Sequence, residues 1–147
     1  MTDVKPLFID TNILIYANVS TAPLHQIALD AIKARCQASQ PLWISRQVLR
    51  EFISTRSRVQ TFSEASAAED VIERVGYLRS RFLVADDTAA VTSALVKLMS
   101  EFTIGGKQIH DANIVATMLA YDIPCLLTHN IKDFRRFADI IQVEGIV

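Results

Sequence analysis

Phe8-Ile9-Asp10-Thr11-Asn12-Ile13-Leu14-Ile15-Tyr16 joins an apolar run to an acid and two further polar groups. Leu7, Phe8 and Ile9 read as a short buried strand. Asp10 stands where that strand runs out, and Thr11 and Asn12 open the next segment. In open α/β sheets, ligands bind in the crevice beside the carboxyl ends of the strands. A carboxylate there is costly to desolvate unless an opposite charge compensates it, and a metal ion is the natural compensator. A plainer role also suits the residue: aspartate caps helices, and Asp10 is placed to satisfy free N–H groups at the start of a following helix. The rest of the chain has to decide between the two.

Working outward, apolar runs of strand length recur at Leu7 to Ile9, Leu42 to Ile44, Phe82 to Val84, Cys125 to Leu127 and Ile140 to Val143. Helical patterns lie between them. Leu24, Ile27, Ala28, Ala31 and Ile32 form one stripe within Pro23 to Ala38. Ser45 is placed to cap a helix running to about Ser54. Ser66 and Glu69 have the form of a capping box inside a helix from about Ser63 to Leu78. Asp87 is expected to cap a helix over Thr88 to Glu101. After the break at Gly105 and Gly106, a helix begins near His110 or Asp111 and runs to Tyr121. Strands alternating with helices imply crossover connections and a short, mostly parallel sheet covered on both faces, a three-layer α/β/α architecture. Short strands that are apolar throughout agree with that. No linker divides the 147 residues, so one domain spanning 1–147 is expected.

Composition bounds the function. The chain is 50% hydrophobic and 21% charged, ordinary for a globular protein, and no apolar run reaches membrane-span length. The N-terminus lacks the layout of a signal peptide, so a cytoplasmic location is the expectation. Cys36 and Cys125 have no CxxC partner and no metal-type spacing with histidine, and both read as reduced packing residues, Cys125 the more buried. A net charge of −1 gives no overall basic signature. Locally, however, Arg46, Arg50, Arg56 and Arg58 cluster around the single acid Glu51, and Lys132, Arg135 and Arg136 form a second group. For any one of these arginines an ordinary solvated helix face is the simpler reading.

The acids are more telling. Asp10 ends the first strand, Glu51 lies in the helix after the second, and Asp111 opens the helix after the glycine break. Asn130 and Asp133 follow the strand that ends at Thr128. A parallel sheet brings strand ends of this kind to one edge, so these segments are expected to share a crevice. Asp111, at a helix N-terminus, is expected to be held ionised by free N–H groups and the helix dipole. Glu51 sits in the apolar setting of Val48, Leu49, Phe52 and Ile53, although pairing with Arg50 or Arg46 at the surface is the bland alternative. At ~4 Å each like-charge pair repels by ~1 kcal/mol in water and by more at lower dielectric, so such a cluster calls for a cation. Hard oxygen donors point to Mg2+ or Mn2+ rather than zinc. None of His25, His110 and His129 stands in an arrangement that would activate a serine or cysteine nucleophile.

Ile9-Asp10-Thr11-Asn12, Val48-Leu49-Arg50-Glu51-Phe52, His110-Asp111-Ala112-Asn113-Ile114-Val115-Ala116-Thr117 and Leu127-Thr128-His129-Asn130-Ile131-Lys132-Asp133-Phe134 together resemble the PIN domain family, most closely its VapC-type toxins. Each piece alone is a weak signal, but the four in this order cover almost the whole chain. The resemblance implies a metal-dependent endoribonuclease in which Asp10, Glu51 and Asp111 hold one or two Mg2+ or Mn2+ ions. Asn130 departs from the family's frequent fourth acid; an amide oxygen binds a metal without adding charge, and Asp133 is near enough to contribute. Thr11, Asn12 and Thr128 would orient the carboxylates. Arg46, Arg50, Lys107 and Lys132 are candidates for contacts to RNA phosphates. The resemblance further implies a homodimer and a small antitoxin protein that blocks the crevice, and Ser63 to Leu78 is a candidate contact stretch.

Two rivals remain. A haloacid-dehalogenase-type phosphatase would use Asp10 as nucleophile, but it wants a second Asp two residues later, where this chain has Asn12. A catalytically silent module that keeps the fold to bind RNA or protein is left open by Asn130.

Overall fold

A computed structural model of the chain describes residues 4–147; Met1, Thr2 and Asp3, part of the N-terminal reading above, lie outside the described residues. Strand β1 (Leu7–Ile9) has no exposed surface at any of its residues. It lies at the centre of a five-stranded sheet with β2 (Leu42–Ser45), β3 (Leu83–Ala85), β4 (Cys125–Leu127) and β5 (Gln142–Glu144), in the order β3-β2-β1-β4-β5. Every pairing is parallel. A strand with neighbours on both sides and helices above and below has no solvated face, which is why its sequence is apolar without alternation.

The strand order dictates the layers. From β1 to β2 to β3 the chain steps outward in one direction; it then returns across β1 to β4 and continues to β5. Right-handed crossovers therefore put α1 (Thr11–Asn18), α2 (His25–Gln37), α3 (Arg46–Arg56) and α4 (Ala68–Arg81) on one face. The same rule puts α5 (Ala89–Glu101), α6 (Gln108–Ala120) and the short α7 (Ile131–Phe134) on the other. Packing agrees: α1 contacts α2 and α3, and α5 contacts α6. Phe8, Phe52, Phe134 and Phe137 are the largest fully buried side chains, drawn from the sheet and from both helical layers. The order reverses between β1 and β4, so the crevice at the topological switch opens beyond Ile9 and Leu127.

Several expected boundaries move, for identifiable reasons. Ser45 caps α3 as expected, accepting from Val48 N at 3.2 Å. The Ser66–Glu69 capping box does not form. Helix α4 starts at Ala68 with no side-chain cap, and Ser66 Oγ instead accepts from Arg56 Nη2. Likewise Thr88, not Asp87, occupies the N-cap of α5. Helix α6 begins at Gln108, earlier than expected, because Gly105 and Gly106 make a turn whose carbonyls accept from Gln108 N and Ile109 N. Gly106 sits there at φ 57, a conformation glycine adopts without strain. Strand β5 starts at Gln142 rather than Ile140, since Ile140 and Ile141 are still bonded back to Phe137 O. Cys36 is exposed, not packed, whereas Cys125 is buried as expected. Among the described residues no helix is long and apolar enough to cross a membrane.

Candidate active site

Asp10 is the first residue beyond β1, and its N–H donates to Leu127 O of the neighbouring strand at 3.0 Å. Its carboxylate takes the capping role the sequence allowed and also faces the crevice. Oδ1 accepts from Thr11 N at 2.7 Å, capping α1, while Oδ2 accepts from Thr128 Oγ1 at 2.8 Å and Asn12 Nδ2 at 3.3 Å. Asp10 is nonetheless 6% exposed. Burial is the main force on it, raising its pKa from the ordinary 3.8 to about 6; the nearby charges of Asp111 and Glu51 push the same way, and the bonds from Thr128 and Thr11 oppose them.

Thr128 follows β4 as Asp10 follows β1. Its hydroxyl gives its proton to Asp10 and accepts from Asn130 N at 3.0 Å, so the Asn130 turn is built onto the same carboxylate. Asn12 locks the two strand ends together, its Oδ1 accepting from His129 N at 3.1 Å.

Glu51 reaches the crevice from α3. Thr11 Oγ1 donates to its Oε1 at 2.7 Å and Gln47 Nε2 to its Oε2 at 3.3 Å. Neither arginine of the bland alternative pairs with it: Arg46 bonds Asp86 at 3.0 Å, and Arg50 is an exposed surface residue. Asp111 lies at the fourth position of α6, still in its first turn, but the N–H groups of Gln108, Ile109 and His110 before it are already taken by Gly105 O, Gly106 O and Lys107 O. The expected stabilisation of its anion is therefore overridden. Burial first, then Asp133 and Glu51, raise its pKa to about 6, with His110 and Arg136 opposing.

Asp10, Glu51, Asp111 and Asn130 line one cavity of about 490 Å3. Asp133 does not line it, but its charge is felt at Asp111. Of the expected phosphate-contacting side chains, Arg46 is tied to Asp86, and Arg50, Lys107 and Lys132 are exposed; none lines the cavity. Arg58 does, together with Tyr16, Gln60 and Phe62, none of which the sequence singled out for this site.

Gln47 was also missed. It is 7% exposed and joins three segments: besides Glu51, its Nε2 donates to His110 O at 2.8 Å, and its Oε1 accepts from Asn113 Nδ2 at 2.8 Å. Its position one helical turn before Glu51 was the available signal.

The donor set suits a hard divalent cation. Three carboxylates face one crevice, and among the described residues none of them is paired with a basic side chain. Among the described residues no three acidic, histidine or cysteine side chains form a ready-made cage.

A family model described as PIN domain matches residues 7–140. Comparison with curated proteins finds no match. Among solved structures, VapBC2 from Rickettsia felis, bound to a DNA fragment from its promoter, is 23% identical with a TM-score of 0.71, covering 95% of this chain and 98% of that one. VapBC-1 from nontypeable Haemophilus influenzae is 22% identical with a TM-score of 0.69, over 96% and 98%. VapC20 from Mycobacterium tuberculosis, described as a Sarcin-Ricin loop cleaving toxin, is 18% identical with a TM-score of 0.59, over 82% and 86%.

Proposed function

The chain belongs to the PIN domain family, and from that premise we propose that it is a Mg2+- or Mn2+-dependent endoribonuclease, the VapC-type toxin of a toxin–antitoxin pair. The observation that carries the reading is the meeting of Asp10, Glu51 and Asp111 in one cavity with, among the described residues, no salt bridge to any of them. Family membership supports a nuclease, and the activity described for VapC20 supports RNA as substrate.

In this reading Asp10, Glu51 and Asp111 hold the cation, with Asn130 offering a neutral oxygen and Asp133 a more distant charge. A bound Mg2+ or Mn2+ lowers the pKa of water and offsets charge building on the phosphate. The remaining work belongs to the chain. Thr128 and Asn12 fix the Asp10 carboxylate, and Thr11 and Gln47 fix that of Glu51. Carboxylates held this way keep their orientation when the ion and the substrate arrive. Arg58 stands at the cavity to meet a phosphate, while Arg50, Lys107 and Lys132 are placed on the surface for the flanking backbone. An antitoxin partner belongs to the same reading, supported by the VapBC structures among the structural relatives, and a homodimer and a cytoplasmic site of action complete it.

The phosphatase alternative loses ground here. It needs an acid two residues after Asp10, and Asn12 is committed to Asp10, Thr128 and His129. The silent-module alternative is separated by experiment. Purified protein incubated with structured RNA should cut it with Mg2+ or Mn2+, not with chelator. Asp10→Asn and Asp111→Asn should abolish cutting. Undiminished metal-dependent cleavage by both variants would overturn the assignment.

A further inference from the structure

The cavity that holds the acids continues past them into an aromatic end. Tyr16 and Phe62 line it there, with Arg58 and Gln60 beside them. We propose that this end is a seat for one unpaired nucleobase of the substrate, next to the scissile bond, so that the enzyme acts on RNA whose base at that position is unstacked. The inference rests on the nuclease reading above and deepens it.

The placement follows from α1. Thr11 and Ile15, and Asn12 and Tyr16, are pairs one helical turn apart on the face that lines the cavity. From Asp10 to Tyr16 the helix advances ~9 Å, which sets the aromatic rings apart from the acids along one wall of the cavity.

The rings are held in advance. Tyr16 meets Phe62 edge-on at 6.4 Å and 69°, and His129 at 5.6 Å and 74°. Phe62 is carried by a loop that has its own framework. Gln60 N donates to Ser63 O at 2.8 Å, and Ser63 N donates back to Gln60 O at 3.4 Å. Arg56, at the end of α3, donates to Ser63 Oγ at 3.1 Å and to Ser66 Oγ, while Ser66 N donates to Arg56 O at 2.8 Å. Tyr16, Phe62 and His129 are half-buried, packed on one side and open on the other. A rigid aromatic shelf loses little freedom when a flat base stacks on it. Gln60 adds an amide for a base edge and Arg58 a cation for the adjoining phosphate.

The neighbouring acids choose the occupant. Whatever rests on the aromatic shelf must present its next group to three carboxylates that gather a cation. RNA carries an anionic phosphate and a flat π surface on every nucleotide, and single-strand recognition uses stacking of this kind.

The test uses the full chain with Mg2+ or Mn2+ and hairpin RNAs with a randomised single-stranded loop. After the cut is mapped, the preferred hairpin is remade with an abasic residue at each position beside it. One such residue should slow wild-type cleavage roughly 5- to 150-fold, the range that loss of a single stacked base supports. Phe62→Ala should cut intact and abasic hairpins at the same slow rate, and Phe62→Tyr should restore the difference. Calorimetric Mn2+ binding should be unchanged in both variants, reporting an intact acid end. Metal-dependent cleavage indifferent to the abasic residue, or discrimination that survives in Phe62→Ala, would overturn the base seat and leave the nuclease reading standing. No cleavage of any hairpin with either ion would overturn both.

Discussion

The Asp10 carboxylate is buried among two other acids, and its pKa of about 6 against an ordinary 3.8 measures what ionising it costs the fold. Between those values the folded chain holds a proton that the unfolded chain has lost. Stability therefore falls as pH rises from about 4 to about 6, and the whole penalty is present above that window. The difference corresponds to about 3 kcal/mol. Asp10→Asn removes that penalty. The amide oxygen can still accept from Thr11 N, but the amide nitrogen meets Thr128 Oγ1, whose proton must turn away, costing about 1 kcal/mol or somewhat more. The net expectation is a gain of about 1–2 kcal/mol in metal-free buffer near pH 8, or roughly 3–8 °C in Tm. Near pH 4 the gain should be gone and the loss of about 1 kcal/mol at Thr128 should remain, because the wild-type carboxylate is then largely protonated. Saturating Mn2+ should reverse the order, since an ion at 100 times its Kd stabilises the wild type by about 2.7 kcal/mol. Urea unfolding with EDTA and with Mn2+, across this pH range, measures every arm. A variant less stable than wild type near pH 8 in EDTA, or a gain independent of pH, would refute the reasoning.

Three further outcomes are expected. Gln47→Leu leaves His110 O and Asn113 Nδ2 without their partner, so unfolding should be easier by about 1–3 kcal/mol. Titration calorimetry should also show its Mn2+ affinity at least about tenfold weaker, as Glu51 loses its support. Asp133→Asn removes a negative charge that raises the Asp111 pKa, so the acidic limb of the pH–rate profile should move to lower pH with the alkaline limb unmoved. Arg58→Ala should lower the salt dependence of RNA binding by roughly one phosphate contact, whereas Arg46→Ala, already paired with Asp86, should change it little; fluorescence anisotropy against salt concentration separates them.

How legible the site was depended on where each residue stands. Asp10 and Thr128 were readable because each directly follows an apolar run, and in a parallel sheet such positions share one edge. Asp111 was found, but its environment was misjudged. It stays in the first turn of α6, but the turn before it takes up the N–H groups expected to hold its anion, and burial and Asp133 dominate its pKa. The arginines were the weakest reading. An arginine's reach is long and its partner is whichever acid folding brings near, so Arg46 went to Asp86, and Arg58, read only as a member of a basic cluster, came to line the cavity. The Ser66–Glu69 box failed for a related reason, since the Arg56 guanidinium took the hydroxyl that local spacing had assigned to a helix cap.

What the chain alone determined is the alternation of short apolar strands with helices, the parallel sheet, and the acids at strand and helix ends. These are properties of neighbouring residues and of the few topologies that parallel strands permit. What only the tertiary structure decided is which side chains meet across the crevice: Thr11 on Glu51, Gln47 on His110 O and Asn113, Asn12 bridging two strand ends, and Tyr16 against Phe62. Those contacts join segments of very different sequence position, and their partners are selected by packing and by the need to satisfy every buried polar group.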